Sequence, residues 1–257
     1  MGNGTRVVGN HFYDNGTAIA TDSLFAGGHP GHPQDGATFE KNQIYSNNFN
    51  SFVAGSDVEP KVPTPVGVGI LIAGGNGNEI RGNRIWDNWR RGTMLLHVPD
   101  SLSDDKKTTI NSTSHRNRYH NNVMGIAPNG AKMPNGVDFW WDEALAQENN
   151  CWFDNGEAST DPPAPLMPSN CDNTSAGVTY PGKFSTELAP CAGSIVGGTF
   201  DASTCPWFTT PPRPSSDGGG GMGLPVQASG APKLTLLSGN CLLVGSTMSC
   251  DGLLDRP

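Results

Sequence analysis

Five times between residues 10 and 155 the chain repeats a hexapeptide that begins and ends with asparagine. The copies are Asn10-His-Phe-Tyr-Asp-Asn15, Asn42-Gln-Ile-Tyr-Ser-Asn47, Asn83-Arg-Ile-Trp-Asp-Asn88, Asn117-Arg-Tyr-His-Asn-Asn122 and Asn150-Cys-Trp-Phe-Asp-Asn155. The third position is always large and mostly apolar (Phe12, Ile44, Ile85, Tyr119, Trp152), and the fourth is always aromatic in character (Tyr13, Tyr45, Trp86, His120, Phe153). First asparagine to first asparagine runs 32, 41, 34 and 33 residues, a period that suits a stack of coils carrying loop insertions. Each unit is too short for a helix and rich in β-favouring side chains. Each is also bracketed by the non-glycine residue most willing to enter the left-handed region of a sharp bend. Of the chain's 23 asparagines, 20 lie before residue 156. Charged residues make up only 16%, which excludes a helical bundle rich in Glu, Lys and Leu.

Several copies run into a second strand: Gly16-Thr-Ala-Ile19, Gly92-Thr-Met-Leu-Leu96 and Gly125-Ile126. Val68-Gly-Ile-Leu-Ile72 precedes another copy through the turn Gly74-Gly75-Asn76-Gly77-Asn78 and the strand Glu79-Ile80-Arg81. Strand, bend, strand is the plan of a coil. Stacked coils would align their asparagines into amide ladders. Alternation along each strand would turn the third-position column into the core and the fourth-position aromatics outward, one coil apart, as a stacking platform for a sugar chain.

The units Gly9-Asn10 through Asn15 and Gly82-Asn83 through Asn88, with their trailing Gly-hydrophobic strands, resemble the parallel β-helix repeats of the pectate-lyase-like superfamily. That group includes pectate lyases, polygalacturonases, alginate epimerases, phage tailspikes and NosD-type periplasmic proteins. The resemblance covers about residues 3 to 155 and implies an all-β, right-handed parallel β-helix, many of whose members bind or act on acidic polysaccharides. The epimerase Asp-Pro-His-Asp run, the polygalacturonase paired aspartates with Gly-His, and a clear lyase signature are missing, so no activity carries over residue by residue. If the chain is an enzyme, the resemblance implies a polysaccharide lyase, glycoside hydrolase or epimerase. The first repeat starts before any cap could form, which predicts the C-terminal part of a longer, secreted, surface or periplasmic protein.

Two concentrations of side chains are candidates for chemistry. Trp86-Asp-Asn-Trp89-Arg90-Arg91 joins two indoles to two guanidinium groups, which recognise carboxylates bidentately and suit a uronic acid. Alternatively, Asp87 pairs with an arginine and the indoles pack the loop. Asp138-Phe-Trp140-Trp141-Asp142-Glu143 offers carboxylates for general acid–base work or for calcium. Asp138 and Asp142, four apart, would share one face of a strand or a helical turn. The rival is that Asp142 to Glu148 is the acidic start of a short helix. The substrate-binding set is thus Trp86, Trp89, Arg90, Arg91, Trp140 and Trp141, and the catalytic set is Asp138, Asp142, Glu143 and Arg91. His29-Pro-Gly-His32-Pro-Gln-Asp35 could hold a divalent metal, although its prolines hold the stretch extended and favour a rigid surface loop. His97 and His115 stand alone and read as structural.

Beyond residue 155 the repeat stops. Residues 156–212 are rich in proline and cysteine and read as an irregular segment lying along the last coils and capping them. Residues 213–233 read as a Gly/Ser/Pro linker, and 234–257 as a tail with a disulfide hairpin. Six cysteines with no CxxC pair argue for disulfides, and the neighbour pairing Cys151–Cys171, Cys191–Cys205 and Cys241–Cys250 closes three short loops. Such usage suits an oxidising compartment. Net charge is −8, so nucleic acid would be repelled. No run of apolar residues is long enough for a membrane span. The expected partner is a polysaccharide, and the rival to a binding or catalytic role is a structural or adhesive solenoid. A NosD-like metal-handling role would need His29 and His32 to converge with a further ligand.

Overall fold

A computed structural model describes residues 3–23, 34–60, 62–97, 114–143, 147–173, 189–197, 199–216, 242–244 and 247–249. Its strands come in coils. The first is β1 (Arg6–Val8), β2 (His11–Tyr13) and β3 (Thr17–Asp22), and the second is β4 (Thr38–Glu40), β5 (Gln43–Tyr45) and β6 (Val68–Ala73). The third is β7 (Glu79–Arg81), β8 (Arg84–Trp86) and β9 (Arg91–Leu96). The fourth is β10 (Arg118–His120), β11 (Val123–Met124) and β12 (Phe139–Trp141), and the fifth is β13 (Cys151–Phe153) and β14 (Thr160–Asp161). Equivalent strands pair in parallel. Sheet A stacks β1, β4, β7, β10 and β13; sheet B stacks β2, β5, β8 and β11; sheet C stacks β3, β6, β9, β12 and β14. Outside the stack lie the helix α1 (Ala189–Gly197) and an antiparallel pair, β15 (Leu242–Val244) with β16 (Thr247–Ser249). Among the described residues no helix is long and apolar enough to cross a membrane.

The five hexapeptides do not occupy one column. The first three lie on sheet B as β2, β5 and β8, whereas the last two lie on sheet A as β10 and β13. Each coil has room for two units that share their middle asparagine, and the third coil shows both: Asn78 to Asn83 on sheet A, then Asn83 to Asn88 on sheet B. Thr5 and Ala37 replace the leading asparagine in the first two coils, so only the sheet B unit is visible there. The true step from the third to the fourth coil is therefore 39 residues and not 34. The aromatic column splits accordingly. Tyr13, Tyr45 and Trp86 stack on sheet B, while His120 stacks on Phe153 on sheet A with centroids 4.7 Å apart.

The ladders form and cross the copies. Asn10, Asn42, Asn83, Asn122 and Asn155 make one column; in each step the backbone N–H and Nδ2 of one asparagine donate to Oδ1 of the next. Asn15, Asn47, Asn88 and Asn135 make a second, and Asn78, Asn117 and Asn150 a third. The left-handed residue is not the asparagine but the one before it. Asp14, Lys41, Ser46, Asp87, Arg116, Asn121, Asn149 and Asp154 have φ between 51° and 60°, and Gly9, Gly77 and Gly82 fill the same place. The bend is made one residue early, which leaves the asparagine free to turn its carboxamide along the stack.

Inside the coils Phe39, Ile44, Ile70, Ile72, Ile80, Ile85, Leu95, Tyr119, Phe139 and Trp141 form the core. At its far end Met167 joins that core, Pro168 O accepts the N–H of Trp152, Asn173 O accepts that of Asn149, and a Cys151–Cys171 disulfide fastens the segment. Residues 163–173 thus close the last coil. A second segment, α1 through Phe208, lies instead on the outer face of sheet C: Cys191, Cys205, Trp207 and Phe208 pack on Val68, Leu71, Met94 and Trp140. Its disulfide is Cys191–Cys205. Both pairings agree with the neighbour rule, and the third pair, Cys241 with Cys250, lies outside the described residues.

Tyr119 sits in the core with a phenol that has no hydrogen-bond partner among the described residues, and burial pushes its ionisation far above the ordinary tyrosine value. Tyr119→Phe is therefore expected to leave stability at pH 7 unchanged or to raise it by up to about 1 kcal/mol. The folded state holds the Tyr119 proton more tightly than the unfolded chain, so this contribution is complete below pH 10 and is lost as pH rises beyond it. Urea midpoints of wild type and Tyr119→Phe compared at pH 8 and 11 should diverge in favour of phenylalanine at pH 11.

Candidate functional site

At the corner between sheets B and C the chain passes from Trp86 through Asp87, Asn88, Trp89 and Arg90 into β9. The buried Asp87 carboxylate accepts Ser46 Oγ at 2.7 Å and Trp89 Nε1 at 3.0 Å, and Arg213 Nε lies 3.3 Å away. Arg90 points its guanidinium at backbone: Nε donates to Val66 O at 2.8 Å, and Nη2 to Pro206 O and Thr209 O at 2.8 and 2.7 Å. That fork fastens the 206–209 turn to sheet C. Arg91 donates to Arg90 O, and its guanidinium carbon lies 6.0 Å from the centroid of the Trp140 ring.

The second concentration follows one coil on, so the two are neighbours. Trp140 faces outward beneath the α1–Phe208 segment, and Trp141 faces inward and donates Nε1–H to Gln147 Oε1. Asp138 and Asp142 flank β12. A strand and not a helical turn separates them, which sets their Cα atoms about 13 Å apart at ~3.3 Å per residue. The two carboxylates therefore do not converge. Asp138 accepts Asn135 Nδ2 at 2.8 Å, Ser159 N–H at 2.8 Å and Ser159 Oγ at 2.9 Å. Asp142 accepts the backbone N–H of His97 at 2.9 Å, its ring Nδ1 at 2.6 Å, and Gln147 Nε2 at 3.0 Å. His97 is thus no solitary residue but the partner of Asp142 across β9 and β12, a pairing that nothing in their 45-residue separation signals. Glu143 follows with φ 55°, and the proposed helix onward from Asp142 runs through residues 144–146, outside the described set.

Asp35 donates its N–H to Asn3 Oδ1 and its carbonyl accepts the N–H of Gly4; His29 and His32 lie outside the described residues. Among the described residues no group of three or more His, Cys, Asp or Glu is placed to hold a metal ion.

The outer faces of the three sheets differ. Sheet C is covered. Sheet A carries ion pairs, with Glu40 facing Arg81 at 3.2 Å and Glu79 facing His120; hydrogen bonds from Lys41 and then Arg81 hold the Glu40 carboxyl below its usual range. Sheet B presents two columns in register, His11, Gln43 and Arg84 beside Tyr13, Tyr45 and Trp86. The aromatic rings lie face to face, 5.3 Å between Tyr13 and Tyr45 and 4.4 Å between Tyr45 and Trp86. Ring faces are occupied by neighbours except at Tyr13, and the ring edges and phenol hydroxyls are what the stack turns outward. Exposure falls along the column from 51% at Tyr13 to 5% at Trp86, where the chain after β11 crosses: Met133 O accepts the N–H of Asp87, and Ile126 O accepts Arg84 Nη1. Burial first, then the neighbouring Tyr13 and Asp14, raises the ionisation of Tyr45, so its phenol stays neutral. His11, Gln43 and Arg84 occupy the second position of the hexapeptide, where the alternation that exposes the fourth position exposes them as well. No family model, curated protein or solved structure matches the chain.

Proposed function

We propose that the chain is a right-handed parallel β-helix of the pectate-lyase-like kind that binds a polysaccharide on the outer face of sheet B. The observation that carries this reading is the pair of columns in register there: the stacked phenols of Tyr13 and Tyr45 beside His11, Gln43 and Arg84. Aromatic bodies with polar tips, flanked by planar donors and acceptors, match the alternating C–H and hydroxyl faces of a sugar. Handedness follows from the near-universal right hand of parallel crossovers. Two disulfides favour an oxidising compartment, secreted, surface or periplasmic. The reading is one of binding without turnover. Asp138 and Asp142 are held apart, and each is engaged by its own neighbours.

A glycan-array screen with and without calcium tests it. At least one polysaccharide should be retained at sub-millimolar concentration, and Tyr45→Ala should weaken that binding by about 10-fold, roughly 1.4 kcal/mol. No retention of any polysaccharide overturns the reading in favour of a structural or adhesive solenoid, which the internally paired Arg90, Asp87 and Asp138 also suit. Wild-type activity in reducing-end or unsaturated-product assays would restore a catalytic role.

A further inference from the structure

Six asparagines of the chain are followed by glycine: Asn3, Asn15, Asn76, Asn129, Asn135 and Asn155. In that setting the glycine nitrogen is free to attack the asparagine Cγ, because the next residue has no β-carbon to shield the approach. Five of the six are corner residues whose carboxamides bond to a neighbouring coil. Asn3 Oδ1 accepts the N–H of Asp35, Asn15 Nδ2 donates to Asn47 Oδ1, and Asn76 Oδ1 accepts the N–H of His115. Asn135 Oδ1 accepts the backbone N–H and Nδ2–H of Asn88, and Asn155 Oδ1 accepts the same two groups of Asn122. Three of the following glycines are wedged as well. A Cβ added at Gly16 would meet Phe49 O at 2.9 Å, one at Gly77 would meet Asp35 Oδ1 at 2.6 Å, and one at Gly136 would strike the backbone of Trp89 and Arg90.

Asn129 stands apart. It lies in the stretch of chain that crosses sheet B after β11, at the tip of a turn that Ile126 and Lys132 bridge in antiparallel fashion. The Gly130 N–H closes the turn on Ala127 O at 2.9 Å, and Asn129 Oδ1 accepts the N–H of Ala131 at 3.0 Å. Both bonds lie inside the turn, so opening it separates no coil from another. Residues 128–132 are exposed, and the space into which a Gly130 side chain would project is empty to 4 Å.

We propose that Asn129 is a site of spontaneous deamidation, the one of the six at which the folded chain leaves the reaction open. The Gly130 N–H gives its proton to hydroxide, and the nitrogen forms a bond to Asn129 Cγ. The Cγ–Nδ2 bond breaks and Nδ2 leaves with an added proton as ammonia, which closes a five-membered succinimide. Water then adds to one of the two ring carbonyls. Cleavage at Cγ gives aspartate, and cleavage at the main-chain carbonyl gives isoaspartate. Nothing is oxidised or reduced, and water is the only co-reactant. Either product places a carboxylate in the turn, and isoaspartate lengthens the main chain by one carbon between Ala127 and Ala131. Ile126 O and Ala127 O accept Arg84 Nη1, so the change reaches the polar column of sheet B while the ladders stay intact.

Ageing the purified chain at alkaline pH and mapping it by mass spectrometry at intervals tests this. In the folded chain Asn129 should gain one mass unit and an isoaspartyl linkage at least about 10-fold faster than any of the other five, the factor that about 1.4 kcal/mol of extra opening cost supplies. In urea, where no coil protects its corners, all six should react at comparable rates because glycine follows each of them. Asn129→Gln should leave the folded chain homogeneous over the same period. Hydrogen exchange at the Gly130 and Ala131 amides should quicken in aged wild type and stay unchanged in aged Asn129→Gln. A corner asparagine that reacts as fast as Asn129 in the folded chain, the same ranking of rates folded and in urea, or an Asn129 that stays intact while the corners react overturns the proposal.

Discussion

Asn83→Ala is expected to lower the unfolding free energy by about 3 to 5 kcal/mol, against less than about 1 kcal/mol for Asn10→Ala in the same column. Asn83 is fully buried and takes part in four bonds: its Oδ1 accepts Asn42 N–H and Nδ2–H, and its Nδ2 donates to Phe39 O and Asn122 Oδ1. Alanine strands the Asn42 backbone N–H, takes one acceptor from Asn42 Nδ2 and one donor from Phe39 O, and leaves Asn122 Oδ1 with only the Asn83 backbone N–H, all inside the stack. A stranded buried donor or acceptor costs about 1 to 3 kcal/mol, more than a typical bond contributes when made. Asn10 strands far less, because it is exposed at the end of the column and its carboxamide donates only to Asn42 Oδ1, which keeps the Asn10 backbone N–H, and to the exposed Val8 O. Asn83→Asp should be at least as harmful as alanine, since a carboxylate cannot donate and would face Phe39 O and Asn122 Oδ1 with a buried charge. Urea midpoints at unchanged slope measure all three. Equal losses at positions 10 and 83 would mean that the columns are incidental to stability.

That the chain forms stacked parallel strands was legible because the hexapeptide fixes it locally. Asn, a β-favouring residue, a large apolar residue and a second asparagine specify strand and corner without reference to the rest of the molecule. The register of the stack was not legible by the same route. Within a coil the sheet A and sheet B units have the same grammar, so Asn117 to Asn122 matches Asn83 to Asn88 as sequence although it stacks on Asn78 to Asn83. What decides between them is the length of chain before and after the unit, which only the assembled coil reveals. The left-handed position was misplaced for a related reason. Asparagine tolerates that conformation, but here its carboxamide is needed along the stack, and Asp14, Lys41, Ser46 or Gly82 takes the bend instead.

The candidate site divides in the same way. The two concentrations lie in successive coils, yet the partners of Arg90 come from residues 66, 206 and 209 and those of Asp142 from residues 97 and 147. Side chains with strong, directional hydrogen bonding look alike in sequence whether they meet a ligand or a distant backbone carbonyl. The sheet B face, by contrast, follows from alternation alone once three strands are placed in register.

Phe208→Ala is expected to cost about 3 to 5 kcal/mol in a transition separate from unfolding of the coils. The ring is fully buried and lies 4.3 Å from that of Phe52, within the cluster that includes Leu71, Met94, Trp140 and Trp207. These contacts lie on the outside of sheet C, and the ladders and the inner core belong to other residues. Loss of the ring should therefore loosen the segment around Cys205 and Trp207 while parallel pairing persists. The expected signature is early dye binding to the uncovered apolar face and a red shift from Trp140 and Trp207, with far-ultraviolet dichroism changing only at the later transition. Arg90 holds the same segment by its bonds to Pro206 and Thr209, so combining Arg90→Met with Phe208→Ala should cost less than the sum of the two single losses. Strict additivity, or a single transition in which strand signal and tryptophan shift coincide, would show instead that the covering segment and the coils fold as one unit.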